Sequence, residues 1–327
     1  MKRMIANLWT LRWIFLVFLL GCTQDTSVLS IAFNQNNPDV IYAGGAGGKF
    51  FKSVDGGESF QNLNQGLTTF NIAALGVSPS LSMVIYAGSY GDSVYRSING
   101  GENWTLVNKG LDDNVGTQAV NAVLVDPSNI KNVFVGTNHG VYSTTDGGSQ
   151  WTDVNMGMAN RFVISLTFDP TNKEKIVAGT NEGIYKTTNG ARNWAIINPE
   201  TRDWAVNTVR FEPSIPGTLY AGTNKGVFKS TDDGKNWVQK TTGFSSPFIS
   251  TLAVDHTQAG VLYAGNGEGI YWSVNGADSW QLLKRSPNSV STLSLHPEKQ
   301  HVLFAGTMTG LYKSIDRGVN WKKLEIK

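Results

Sequence analysis

One segment of this chain recurs seven times, and that recurrence limits what the chain can fold into. Ser53-Val54-Asp55-Gly56-Gly57-Glu58-Ser59-Phe60 returns as Ser97-Ile98-Asn99-Gly100-Gly101-Glu102-Asn103-Trp104 and as Thr144-Thr145-Asp146-Gly147-Gly148-Ser149-Gln150-Trp151. Four further copies end at Trp194, Trp237, Trp280 and Trp321, and the closing aromatics stand 44, 47, 43, 43, 43 and 41 residues apart. A period of this size means a series of small units, none of which buries both its faces alone. Two strand-like runs precede each copy. The first alternates apolar with small or polar residues, as in VLSIAFN from Val28 and VNTVRFEP from Val206, which is the period of a half-buried strand. The second ends in a small pair, as in IYAG at Ile41 and LYAG at Leu219, and a third, such as GVYST or GIYKT, leads into the motif. Four short antiparallel strands in a unit of this length make one propeller blade. Residues 27–327 divide into seven such units with nothing left for a second domain. The expected fold is therefore all-β, a seven-bladed β-propeller of four-stranded antiparallel blades. Blade one begins with its innermost strand and blade seven ends with its outermost. The ring is thus expected to close by face packing, without a shared strand.

The turn motif has its own chemistry. Asp55, Asp146, Asp232 and Asp316, and Asn99, Asn189 and Asn275 in the other three copies, are side chains that accept hydrogen bonds from their own turn backbone. Glycine supplies positive φ, and the closing Trp buries a large area between blades. Asn does this work as well as Asp, so the seven positions read as structural. The pattern S/T-x-D-x-G-x-x-W resembles the Asp-box, or bacterial neuraminidase repeat. That repeat is found in sialidases, two-propeller xyloglucanases, the sortilin ectodomain and photosystem II assembly factors. The resemblance covers residues 27–327 and departs from the pattern at the three Asn copies and at Phe60. It implies the propeller, with ligands on the face opposite the Asp-box turns, but not one function, since enzymes and binding proteins both carry it.

The first 21 residues read as an address. Lys2, Arg3 and Arg12 precede the apolar run Trp13 to Leu20, which is too short to span a bilayer and suits a signal peptide. The run ends in Leu19-Leu20-Gly21-Cys22, and Cys22 is the one cysteine of the chain. This resembles the bacterial lipoprotein signal, which implies lipidation of Cys22 after removal of residues 1–21. Residues 22–26 would then form a tether of about 20 Å at most. Thr23, in place of an Asp, implies the outer membrane. The expected location is the bacterial cell envelope, with the membrane met through the lipid alone.

Charge and composition narrow the partners. Without the three basic residues of the leader, 24 Lys and Arg face 25 Asp and Glu. A near-neutral surface argues against nucleic acid. One cysteine and four scattered histidines argue against a zinc site, and no cofactor is expected. The turns between second and third strands carry His139, Glu182, Lys225, Glu268 and Thr309 at their tips, with Tyr90 and Asp92 in a longer loop of blade two. These are read as solvated hairpin turns or as a mixed-charge ring at the channel mouth. The loops between blades add Arg161 and Phe162, then Glu200, Arg202, Asp203 and Trp204. Trp204 is explained by neither the leader nor the repeat. It reads either as a cap over the hydrophobic end of blade five or, since Trp and Arg dominate binding hot spots, as a partly exposed member of a binding patch, which is the expectation carried forward.

The leading expectation is a monomeric, non-enzymatic scaffold for a protein or polysaccharide. A glycoside hydrolase or lyase using Glu182, Glu268 or Asp92 is the first alternative, and a glycan-binding lectin the second. Sialidases, which the repeat resembles, imply an Arg-Ile-Pro motif that does not occur here.

Overall fold

In the computed structural model, which describes residues 26–111 and 115–326, the repeats form seven four-stranded antiparallel sheets. Each takes its strands in chain order, from β1 to β28. The innermost strands are β1 (Val28–Phe33), β5 (Asn71–Val77), β9 (Val120–Val125), β13 (Val163–Asp169), β17 (Val206–Phe211), β21 (Thr251–Val254) and β25 (Val290–Leu295). Together they wall a central channel. The outermost strands are two-residue pairings, such as β4 (Gln61–Asn62), short enough to leave little edge for another chain. No strand is shared between the first and last blades. They join through β1 against β25, through Ser27 Oγ donating to the Met308 carbonyl at 2.9 Å, and through Lys313–Glu58 at 2.7 Å and Lys299–Asp39 at 3.2 Å.

The core lies between blades. Val141 and Met158 of blade three, for example, pack with Val163, Ile176 and Trp194 of blade four. In four of the seven copies the Asp-box Trp pins its blade to the one before it. Nε1 of Trp104, Trp151, Trp194 and Trp280 donates to the carbonyls of Leu63, Val107, Val154 and Lys240 at 3.2, 2.7, 2.8 and 3.0 Å. Within the turn, Asp55 Oδ1 accepts from Ser53 Oγ at 2.7 Å and from the Ser59 amide at 3.0 Å. Asn99 Oδ1 does the same with Ser97 Oγ and the Asn103 amide, at 2.9 and 3.0 Å. The amide oxygen thus replaces the carboxylate without a change of geometry. Two successive residues of the turn have positive φ. Gly101 is also sterically required, since a Cβ there would sit 2.4 Å from Phe50 Cε1. Elsewhere the turn tolerates a side chain, at Ala191, Asp233, Ala277 and Arg317, so glycine is less obligatory than the motif suggests.

One local irregularity shapes the channel. The register slips by one residue between Val28 and Ser30, Ile72 and Ala74, Val163 and Ser165, Val206 and Thr208, and Val290 and Thr292. Such a bulge re-aims the extra residue, and the extra residues Leu29, Ala73, Ile164, Asn207 and Ser291 all line the channel.

Candidate functional site

The channel opens on the face opposite the Asp-box turns through a mouth of about 440 Å³, lined by Tyr90, Asn121, Asn207 and Phe248 among others. Its polar residues also stitch the blades together. Asn121 Nδ2 donates to the Val163 carbonyl at 2.8 Å, Asn207 Nδ2 to the Ile249 carbonyl at 2.7 Å, and Ser250 Oγ to the Val290 carbonyl at 2.6 Å. Tyr90 reaches in from the long loop of blade two, and its hydroxyl donates to Asn121 Oδ1 at 2.8 Å. Burial raises the phenol above its ordinary pKa, so it stays a neutral donor. Around this mouth Phe70 and Phe248 are exposed, by 78% and 49%, and Tyr90 by 36%. Phe162 is half-buried at the rim beside Arg161, whose Nη1 pairs with Asp153 at 3.4 Å. Phe70, Phe162 and Phe248 end the loops that lead into blades two, four and six.

The candidate carboxylates are placed elsewhere. None of Asp92, Glu182 and Glu268 lines the channel. Asp92 Oδ2 accepts from the Tyr95 hydroxyl at 2.9 Å and from Thr68 Oγ1 at 3.4 Å. Glu268 stands in the same relation to Tyr271, at 2.6 Å, and to Ser245. The hydrogen bonds from Ser245 and then Tyr271 hold Glu268 below its ordinary pKa, the wrong direction for a general acid near neutral pH. Glu182 is exposed at a turn tip, its amide donating to Thr180 Oγ1 at 3.2 Å. The His139 and Lys225 amides bond to Thr137 and Thr223 in the same way, at 3.0 and 2.9 Å. These tips are hairpin turns fixed by a threonine, with Glu182 and Lys225 exposed and His139 half-buried.

Trp204 corrects the expectation made for it. It is 9% exposed, sealed with Val177 and Ile184 of blade four and Val209 of blade five. Its ring stacks on Phe228 at 3.8 Å and meets Trp237 edge-on at 6.2 Å. The partner it fills against is the cause, since Phe228 stands where five of the other six blades have a tyrosine. Glu200, Arg202 and Asp203 lie outside it, exposed on the short 3-10 turn Pro199–Asp203. Cys22, with the leader, lies outside the described residues. No helix among those described is long and apolar enough to cross a membrane.

Sequence reasoning centred on loops missed Arg210. It is the one Lys or Arg in the seven innermost strands. It lines both the upper void and a second void of about 350 Å³ toward the Asp-box face.

Seven Asp-box blades around a narrow channel with an aromatic rim define the class, a propeller of the bacterial neuraminidase repeat type. Comparison with known proteins agrees. The sortilin-Vps10 family model (sortilin, neurotensin receptor 3) matches residues 92–220. An ancestral GH74 enzyme superposes with a TM-score of 0.77 at 21% identity, covering 93% of this chain and 47% of that one. The GH74 xyloglucanase from Xanthomonas campestris gives 0.74 at 17%, covering 92% and 55%. YCF48 bound to D1 peptide gives 0.68 at 16%, covering 90% and 95%. The chain thus spans about half the length of the GH74 structures. A comparison with curated protein sequences gives no match.

Proposed function

We propose that this protein is a lipid-anchored envelope protein whose propeller holds a protein partner on its channel-mouth face, without chemistry of its own. The observation that carries this reading is the rim of exposed aromatics, Phe70, Tyr90 and Phe248, beside Asp92 and Glu268, whose carboxylates are already committed to hydrogen bonds. Exposed aromatics within a polar surround are the usual anchors of protein association. The similarity to YCF48, which is bound to a D1 peptide in its structure and is matched over nearly its whole length, favours a protein partner. The lipid anchor on Cys22 rests on the sequence signal. It would hold the propeller close to the membrane, where the partner should also be found.

The test is crosslinking capture from native envelope with wild type and with a Phe70→Ala/Phe248→Ala double variant. The double variant should retain the fold and lose most of the captured protein. Undiminished capture would refute the rim as the docking surface. Release of reducing sugar from a β-glucan, abolished by Glu182→Gln, would replace this reading with the hydrolase. Retention of polysaccharide without turnover would replace it with the lectin.

A further inference from the structure

Arg210 occupies the middle of the propeller with no counter-charge among the described residues. It lies four residues along β17 from Val206, roughly 13 Å down the strand from the rim. Protein surrounds the guanidinium, yet the voids above and below keep it in reach of solvent. Nη1 donates to the carbonyl of Val209 at 2.8 Å and more weakly to Ser165 Oγ at 3.5 Å. Nε and Nη2 make no protein hydrogen bond among the described residues, and none of the ion pairs there includes Arg210. Asp169, at the end of β13, is paired with Lys175 at 2.7 Å, and the buried Glu212, two residues on from Arg210, accepts from Ser214 Oγ at 2.9 Å and from the Gly260 amide at 3.2 Å. Burial alone acts on the guanidinium, lowering its proton affinity.

A buried charge of this kind is costly unless something of opposite sign meets it. The other groups along this stretch are hydroxyls set among apolar side chains such as Leu75, Leu166, Leu252 and Leu293. Thr167, Ala253 and Ser294 line the lower void with Arg210, and Thr292 and Thr251 line the upper one. The hydroxyl of Thr208, one turn of the pleat above Arg210, is buried without a partner. His256 also faces the lower void. No carboxylate lines either void.

We propose that the channel at Arg210 is a binding site for a small inorganic oxyanion of the sulfate or phosphate class. The guanidinium fork matches two oxygens of such an ion in a bidentate contact, and the wall hydroxyls supply further donors. Depth favours a free ion over a partner's side chain, since Arg210 lies well below the rim where a docked protein would stop. The ion would act as a core counter-charge that ties β17 to the strands facing it across the channel. In that role it stabilises the ring as a whole rather than any one blade.

The experiment titrates the purified full chain in detergent with sodium phosphate and, separately, sodium sulfate, against sodium chloride at matched ionic strength. Melting temperature and calorimetric heat are followed together. Wild type should show a saturable rise in melting temperature and a binding isotherm. Arg210→Gln should lose the saturable part and keep only the non-saturating stabilisation that kosmotropic salts give any protein. Arg210→Lys retains charge without the fork, and should weaken binding about tenfold. It keeps the test alive if the neutral variant fails to fold. A crystal soaked in selenate should show an anomalous peak beside Arg210. Identical salt curves for wild type and the folded variants, or selenate density absent from the channel, would overturn the proposal and leave hydration as the answer to the charge.

Discussion

The Asp-box tryptophans offer a stability test with an internal control. Trp194 is 4% exposed, packed among Val163, Ile176 and Met158, with its Nε1 donating to Val154 O at 2.8 Å. Trp194→Ala removes both the buried ring and the donor. Large-to-small changes of this kind cost about 3–5 kcal/mol. With an unfolding entropy of roughly 2.1 cal/mol/K per residue over a propeller of this size, that is a fall of about 5–8 °C in melting temperature. Trp194→Phe separates the two parts. It keeps most of the ring and orphans the Val154 carbonyl, for a cost of about 1–3 kcal/mol. Trp237 is the control. Its Nε1 is buried with no partner, its ring having been met edge-on by Trp204. Trp237→Phe therefore loses no bond and removes an unsatisfied donor, and it should be within about 0.5 kcal/mol of wild type or more stable. Urea and thermal melts of the three variants, with m-values compared, make the measurement. Equal costs for Trp194→Phe and Trp237→Phe would refute the claim that the indole bond pins blade to blade. An unmoved Trp194→Ala would refute the burial argument altogether.

Two further outcomes follow. Cys22→Ser should move the protein from the membrane to the soluble fraction with its melting temperature unchanged; a variant still in the membrane pellet, or wild type lacking acyl mass on Cys22, would rule out the lipid anchor. Acid should expose the carboxylates of the turns: hydrogen bonds from the Asn236 backbone and side chain lower Asp232 to about 2. Because its folded value lies below that of the unfolded chain, its contribution is whole above the ordinary value of 3.8 and is lost as pH falls toward 2. Asp232→Asn keeps the acceptor and does not titrate, so its melting temperature should fall less between pH 5 and pH 2 than that of wild type, and parallel curves would contradict the assignment.

What could be read from the sequence was whatever the chain says seven times. Blade number, strand order, the turn acceptors and the Trp column each rest on repeated residues, and the Asn copies showed that charge is dispensable in the turn. Single residues were harder. Trp204 was visible as an exception, but its burial depends on Phe228, which lies in another strand. That signal was present as a Phe in a column otherwise holding Tyr95, Tyr142, Tyr185, Tyr271 and Tyr312, with Phe51 in blade one. Asp92 and Glu268 stood out as acids, and their partners Tyr95 and Tyr271 lie three residues on in each case. Arg210 was legible as the one basic residue in a column of Ala32, Gly76, Leu124, Thr167, Ala253 and Ser294. It was passed over because binding chemistry was sought in loops. The bulges that turn residues into the channel leave no mark in the alternation, since one inserted residue looks like a longer strand.

The third-strand tyrosines connect these observations. Tyr95 takes Thr68 within 2.7 Å and donates to Asp92. Tyr271 takes Ser245 within 2.8 Å and donates to Glu268. Tyr185 accepts from the Asn160 amide at 3.2 Å. Thr68, Ser245 and Asn160 belong to the loops that go on to Phe70, Phe248 and Phe162. Each rim aromatic is therefore carried by a loop fastened at a tyrosine hydroxyl, and in two of the three the tip carboxylate completes the fastening. In blade five, where Phe228 has no hydroxyl to offer, the loop is held by stacking of Trp204 instead. Asp92 and Glu268, which looked catalytic, and the tryptophan that looked like a ligand platform thus do one job by different chemistry. They fix the backbone beneath the rim. For the docking role proposed above, little loop ordering would then remain to oppose binding, and affinity would be set by the rim aromatics and not by the residues that hold them in place.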